Sequence, residues 1–196
     1  MLALLSATLV SCGGLQRDEV VTIASELIEK SYEINEIFYG KGLALNEKSL
    51  EAVEESIESG LYATVTVPPY VEVDASSGYV YIDQLKAAAL GVYTEDYAAG
   101  MFEAAFEGMT DALGNVIYYA RYIENDYGTL AMKYEFTDTS YDLSRTYDME
   151  SLKIDKQTSS YVLFTVDSYV SGVPSEPVQL KIVRTDSGWR LDTPTY

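Results

Sequence analysis

At Val116 the hydrophobic period of this chain changes, and that change fixes the class of fold. Before it, apolar residues recur every three or four positions; after it, every second. Val20, Ile23, Leu27, Ile34 and Phe38 make a helical stripe over residues 18–39, and Glu19, Glu26, Glu29, Glu33 and Glu36 cover much of the other side. Asp18 and Glu19 suit the positive end of that helix, and Gly40-Lys41-Gly42 supplies its stop. A narrower stripe, Leu50, Val53 and Ile57, predicts a second helix over 46–59 that Asn46 caps, with a mobile acidic loop as the alternative. Residues 82–93 and 95–107 read as two more helices, the later one capped by Thr94.

The strands follow from alternation. Residues 61–67 alternate, Pro68-Pro69 breaks the run, 70–74 resumes it, and 75–78 turns. Beyond the period change, strands are expected at 116–123, 129–136, 151–156, 161–170, 178–184 and 189–192. Turns separate the later ones at 157–160, 172–177 and 185–188. Helices first and strands after predict an α+β fold, with N-terminal helices packed on one face of a curved antiparallel meander.

Composition narrows the chemistry. With 31 Asp and Glu against 13 Lys and Arg, the net charge is −18, which argues against nucleic acid and against non-specific binding to anionic lipid. Its ordinary meaning is solubility. There is no histidine, so the commonest general base and metal ligand are both missing. One cysteine allows no internal disulfide. Eighteen tyrosines suit half-buried sheet faces and binding surfaces alike.

That cysteine has a telling position. The apolar run from Leu2 to Val10, then Ser11, Cys12 and Gly13, resembles a bacterial lipobox, in which the cysteine is lipidated and becomes the first mature residue. The run is too short to span a bilayer. It also lacks the Lys or Arg that opens a signal peptide, so the true start is expected upstream. The alternative is a buried N-terminal element with an ordinary free thiol. The organisation expected is a signal peptide at 1–11, a lipidated tether at 12–17 and one domain at 18–196, on the outer face of the cytoplasmic membrane.

The order of elements, closing on Gly188-Trp189-Arg190-Leu191, resembles the NTF2-like (cystatin-like) fold of extracytoplasmic bacterial lipoproteins. A more local likeness involves Tyr70-Val71-Glu72-Val73, Ile82-Asp83-Gln84-Leu85-Lys86, Val92-Tyr93-Thr94-Glu95-Asp96-Tyr97, and Tyr122-Ile123 through Gly128-Thr129-Leu130. These segments are similar to secreted Gram-positive proteins that include inhibitors of cell-wall DL-endopeptidases. Tyr81 departs from that pattern by standing where a capping Ser or Thr is expected. No residue matches a defined inhibitory motif, so the resemblance transfers no inhibitory site.

The resemblance also implies an enzymatic alternative, because NTF2-like isomerases and dehydratases place Asp, His or Tyr in a cone-shaped pocket. A His–Asp dyad is impossible here. An Asp base with Tyr donors would draw on Asp148 or Asp167 with Tyr118, Tyr134 or Tyr169. The acidic turns 138–142 and 124–126 lack the ligand alternation and glycine of an EF-hand loop, so neither a metal nor another cofactor is expected. The tyrosine-rich hairpin at 116–136 is the candidate contact surface, with Tyr119, Tyr122 and Tyr127 as anchors; its ordinary reading is sheet packing. The function expected is a lipid-anchored, non-catalytic binding domain. Its candidate role is to restrain a cell-wall enzyme or another envelope protein with a basic face. Cys12→Ala is expected to release the protein from membranes or leave it unprocessed. Equal membrane retention of variant and parent in cell fractions would defeat the lipobox reading.

Overall fold

The computed structural model describes residues 14–61, 67–134 and 143–196. The expected lipobox with Cys12, most of the expected strand 61–67, the end of the expected strand 129–136 and the acidic turn 138–142 lie outside those residues. Helix α1 (Arg17–Tyr39) runs about 34 Å at 1.5 Å per residue. It buries a wider stripe than the sequence suggests, including Ala24, Ile28, Ser31 and Asn35. Helix α2 (Glu47–Glu58) is capped by the Asn46 side chain, which accepts from the Ser49 N–H at 3.1 Å.

Strand β1 (Tyr70–Glu72) leads through a 3-10 turn to α3 (Ile82–Val92) and α4 (Glu95–Phe102). The side chain of Tyr81 does not cap α3; the carboxylate of Glu124 accepts from the Ile82 N–H at 3.0 Å instead. The expected helix 95–107 stops being α-helical at Phe102 and finishes as a π-helical turn, Glu103–Glu107. None of the helices among the described residues is long and apolar enough to cross a membrane.

Among the described residues the strands are antiparallel but form three sheets rather than one meander. The expected single strand 116–123 divides. Strand β3 (Val116–Tyr118) pairs with β2 (Met109–Thr110), whereas β4 (Tyr122–Glu124) pairs with β5 (Leu130–Lys133). β5 lies between β1 and β4 and all four of its residues are buried, so its two faces do not divide into apolar and polar as its sequence suggests. Only β6 (Thr146–Gln157), β7 (Tyr161–Val170), β8 (Val173–Thr185) and β9 (Gly188–Leu191) follow one another as a meander.

Two details extend these strands beyond their sequence signal. Ser171 and Gly172 both have positive φ, 51° and 77°, so a two-residue turn joins β7 to β8 and the expected loop 172–177 is strand. Pro177 fits because it falls at the register shift opposite Asp167, where the ladder is interrupted. In β6 the register shifts between Asp148 and Lys153. Ser151 Oγ accepts from the Asp167 N–H there, while Arg17 donates to the carbonyls of Glu150 and Leu152 at 2.6 and 3.1 Å. The start of α1 is thereby fixed to the outer strand of the sheet.

One continuous core joins α1, α3 and α4 to both larger sheets. Inside it lies a closed polar network. Tyr93 donates to Asn35 Oδ1 at 2.7 Å, Asn35 Nδ2 donates to Thr195 Oγ1 at 2.8 Å, and the Ser31 and Thr195 hydroxyls lie 2.7 Å apart. Burial pushes the Tyr93 phenol above its ordinary value, so it stays protonated and donates. Tyr93→Phe leaves Asn35 Oδ1 buried without that donor and is expected to cost about 1–3 kcal/mol. A loss under about 0.3 kcal/mol in denaturant melts would show that the network has relaxed around the missing hydroxyl.

Candidate functional site

The structure does not gather Tyr119, Tyr122 and Tyr127 on one surface. Tyr122 is a correction to the sequence reading. It is fully buried, its hydroxyl donates to the Ile37 carbonyl at 2.8 Å, and its ring lies 6.3 Å from that of Phe106. It fills the core and cannot touch a partner. Tyr119 is half-buried, with the Lys133 ammonium 6.0 Å from its ring centroid. Nearby, Tyr70 donates to the Ala120 carbonyl, and burial first, then the Tyr119 phenol, pushes its pKa up to about 12. Tyr127 alone projects, 88% exposed. Asn125 holds that turn by accepting from the N–H groups of Tyr127 and Thr129. Tyr119 and Tyr127 flank opposite ends of β4.

Among the described residues, the acids of the enzymatic alternative line none of the depressions described below. Asp148 and Asp167 face each other across β6 and β7, with Asp167 exposed and Asp148 accepting from the Glu150 N–H. Tyr118 belongs to β3 and Tyr169 to β7, while Tyr134 follows β5 and donates to Glu54 at 3.4 Å. Among the described residues no three acidic or thiol groups cluster as a metal site. In the turn 124–126, Glu124 is occupied in capping α3 and Asn125 in bracing its own loop.

Surface depressions lie elsewhere. One of about 470 Å³ sits where the chain meets the sheet, between Leu15, Gln157, Arg184 and Trp189. Trp189 is half-buried there, packed against the core at one side and open at the other. Another, of about 340 Å³, opens by Thr94, Asp96, Lys181 and Asp192, where Lys181 and Asp192 pair at 2.6 Å.

The feature that sequence reasoning missed is the short hairpin β2–β3. Met109, Leu113, Val116 and Ile117 are all exposed on it, Leu113 to 87%. The turn is braced from inside. Asp111 Oδ1 accepts from the N–H groups of Leu113 and Asn115 at 2.8 Å each, and Oδ2 accepts from the Asn115 side chain. Gly108 closes the base at φ 68°, where an added Cβ would meet the Tyr118 carbonyl oxygen at 2.7 Å. The signal was Gly114-Asn115 between two short apolar runs, a turn pair with strand on either side.

No protein-family model matches this chain, and neither a curated protein nor a solved structure matches it significantly. The fold class that the structure shows is α+β, with four α-helices and antiparallel sheets among the described residues.

Hydrogen bonds from Asn115 hold the Asp111 carboxyl below its ordinary range. A folded pKa lowered in this way stabilises the hairpin fully above the unfolded value of about 3.9, and the stabilisation is lost as pH falls through the lower folded value. The amide NMR signals of Leu113 and Asn115 are expected to hold steady from neutrality to about pH 4 and to shift below it. Signals that titrate above pH 5, or never, would contradict the bracing role of Asp111.

Proposed function

We propose that this chain is a lipid-anchored, extracytoplasmic binding domain of NTF2-like type that acts through its surface on an envelope protein with a basic face, restraining a cell-wall hydrolase. The observation that carries this reading is the filled interior. The space between the helices and the sheets is occupied by Phe38, Phe102 and Phe106, with ring centroids 5.7 to 6.2 Å apart, and by Leu85, Leu130 and Met132. An NTF2-like enzyme would need that space open and a carboxylate in it. Four of the polar groups inside, Ser31, Asn35, Tyr93 and Thr195, hydrogen-bond to one another. The packing of α1 and α3 on a sheet that ends in Gly188-Trp189-Arg190-Leu191 supports the NTF2-like assignment.

The net charge of −18 supports a basic partner, since complementary charge speeds encounter and makes it sensitive to salt. The purified chain is expected to slow peptidoglycan digestion by endopeptidases of its own organism at low salt, and less so at high salt. No effect on digestion, together with turnover of a small hydroxylated or carbonyl substrate that Asp148→Asn or Asp167→Asn abolishes, would overturn the proposal in favour of an enzyme.

A further inference from the structure

We infer that the β2–β3 hairpin, residues 109–118, is the docking element of this domain, and that its partner is a protein presenting an apolar groove rimmed by lysine or arginine. The inference rests on the binding-domain reading above and assigns its contact surface. Four of the twelve large apolar side chains exposed among the described residues, Met109, Leu113, Val116 and Ile117, fall within this one hairpin. An isolated two-stranded hairpin is at best marginally stable in water, and among the described residues this one joins neither larger sheet. Its order comes from the Asp111 brace and from Gly108 at its base. A projection already held in shape loses little conformational freedom on binding, which favours its use as an anchor.

Charge selects the occupant. From Ala87 to Ala120 there are five carboxylates and no lysine or arginine. Glu103 and Glu107 are exposed on the turn leading into the hairpin, and Asp111 lies in its loop. An apolar tip among carboxylates complements a groove flanked by cations and repels a second copy of this acidic chain. Position agrees. The chain comes in at the far end of α1, where Arg17 meets β6, whereas the hairpin base follows the other end, where Arg121 donates to the Gly40 carbonyl at 2.6 Å. These two contacts lie at opposite ends of α1, which is about 34 Å long. A stable interface takes ~800 Å² from each partner, so the hairpin forms the centre of the contact and its neighbours form the rim.

The test uses the full chain in detergent micelles and, as probe, a ten-residue peptide alternating valine and lysine, read against protein-free micelles. The parent is expected to bind it in a salt-sensitive way. Leu113→Ser with Ile117→Ser is expected to weaken binding at least tenfold, while Val173→Ser, at an exposed apolar site on β8, leaves it unchanged. Both changes are at exposed positions, and thermal melts establish that each variant remains folded. Equal binding by parent and double variant would overturn the inference, as would a parent dimer in sedimentation that the double variant abolishes, which would make a second copy the occupant. The digestion assay separates the two proposals. If the double variant slows digestion as well as the parent does, the hairpin assignment falls and the binding function stands. If the variant loses the peptide but the parent never affects digestion, the hydrolase reading falls and the hairpin stands.

Discussion

The fold depends on how the last residues of the chain are held. Thr195 is buried between α1 and the residue that ends α3, where its hydroxyl meets Ser31, Asn35 and Tyr93 within hydrogen-bond distance. A polar group so deep is tolerated only when its bonds are satisfied, and here each member of the network satisfies another. The same few residues set the sheet against the helices. The Thr94 N–H donates to the Leu191 carbonyl, the Thr94 hydroxyl donates to Asp192, and Lys181 pairs with Asp192. Strand β9 is therefore fixed to the junction of α3 and α4 as well as to β8. Around this point Tyr93 stacks on Tyr97 and Tyr39 lies against Tyr196, at 4.7 and 4.6 Å between ring centroids. Four of the eighteen tyrosines pack at this junction.

With that junction fixed, α1 acts as a ruler between two ends of unlike character. At its start, Arg17 ties the helix to the irregular part of β6, and the depression at Trp189 and Arg184 lies beside the incoming chain. At its end, the Gly40 carbonyl accepts from Arg121, which lies between the hairpin and β4. Cationic side chains on the β6–β9 sheet, Lys153, Lys156, Lys181, Arg184 and Arg190, moderate the acidity there, whereas α4 and its π-helical turn carry only carboxylates among their charged groups. The β6–β9 sheet therefore carries charges of both signs, whereas α4 and its π-helical turn lead into an acidic, partly apolar hairpin.

Several elements were legible because their information is local. The α1 stripe, the Asn46 and Thr94 caps and the alternation of β7 are each written within a dozen residues, and each appears within a residue or two of its expected place. The misreadings share one cause, which is that distant residues supplied what the local sequence lacked. Pro174 and Pro177 read as loop, but the β7 ladder and a bulge accommodate them. Tyr81 cannot cap a helix, but Glu124, more than forty residues away, can. Tyr122 reads like its surface neighbours Tyr119 and Tyr127, because tyrosine serves both core and contact, and only packing decides which.

The sequence by itself determined the α+β class, the acidity and the lack of histidine, since periodicity and composition need no partner to be read. It did not determine how the strands divide. One alternating run at 116–123 contributes to two sheets because Gly108 and the Ala120–Arg121 corner redirect the chain, and that choice is made by contacts across the core. The candidate site follows from the same division. Had 116–123 stayed one strand in one sheet, Val116 and Ile117 would have been paired and covered. The tertiary structure instead leaves them on a short ribbon with Met109 and Leu113, where water reaches them, because neither larger sheet among the described residues extends to cover that ribbon.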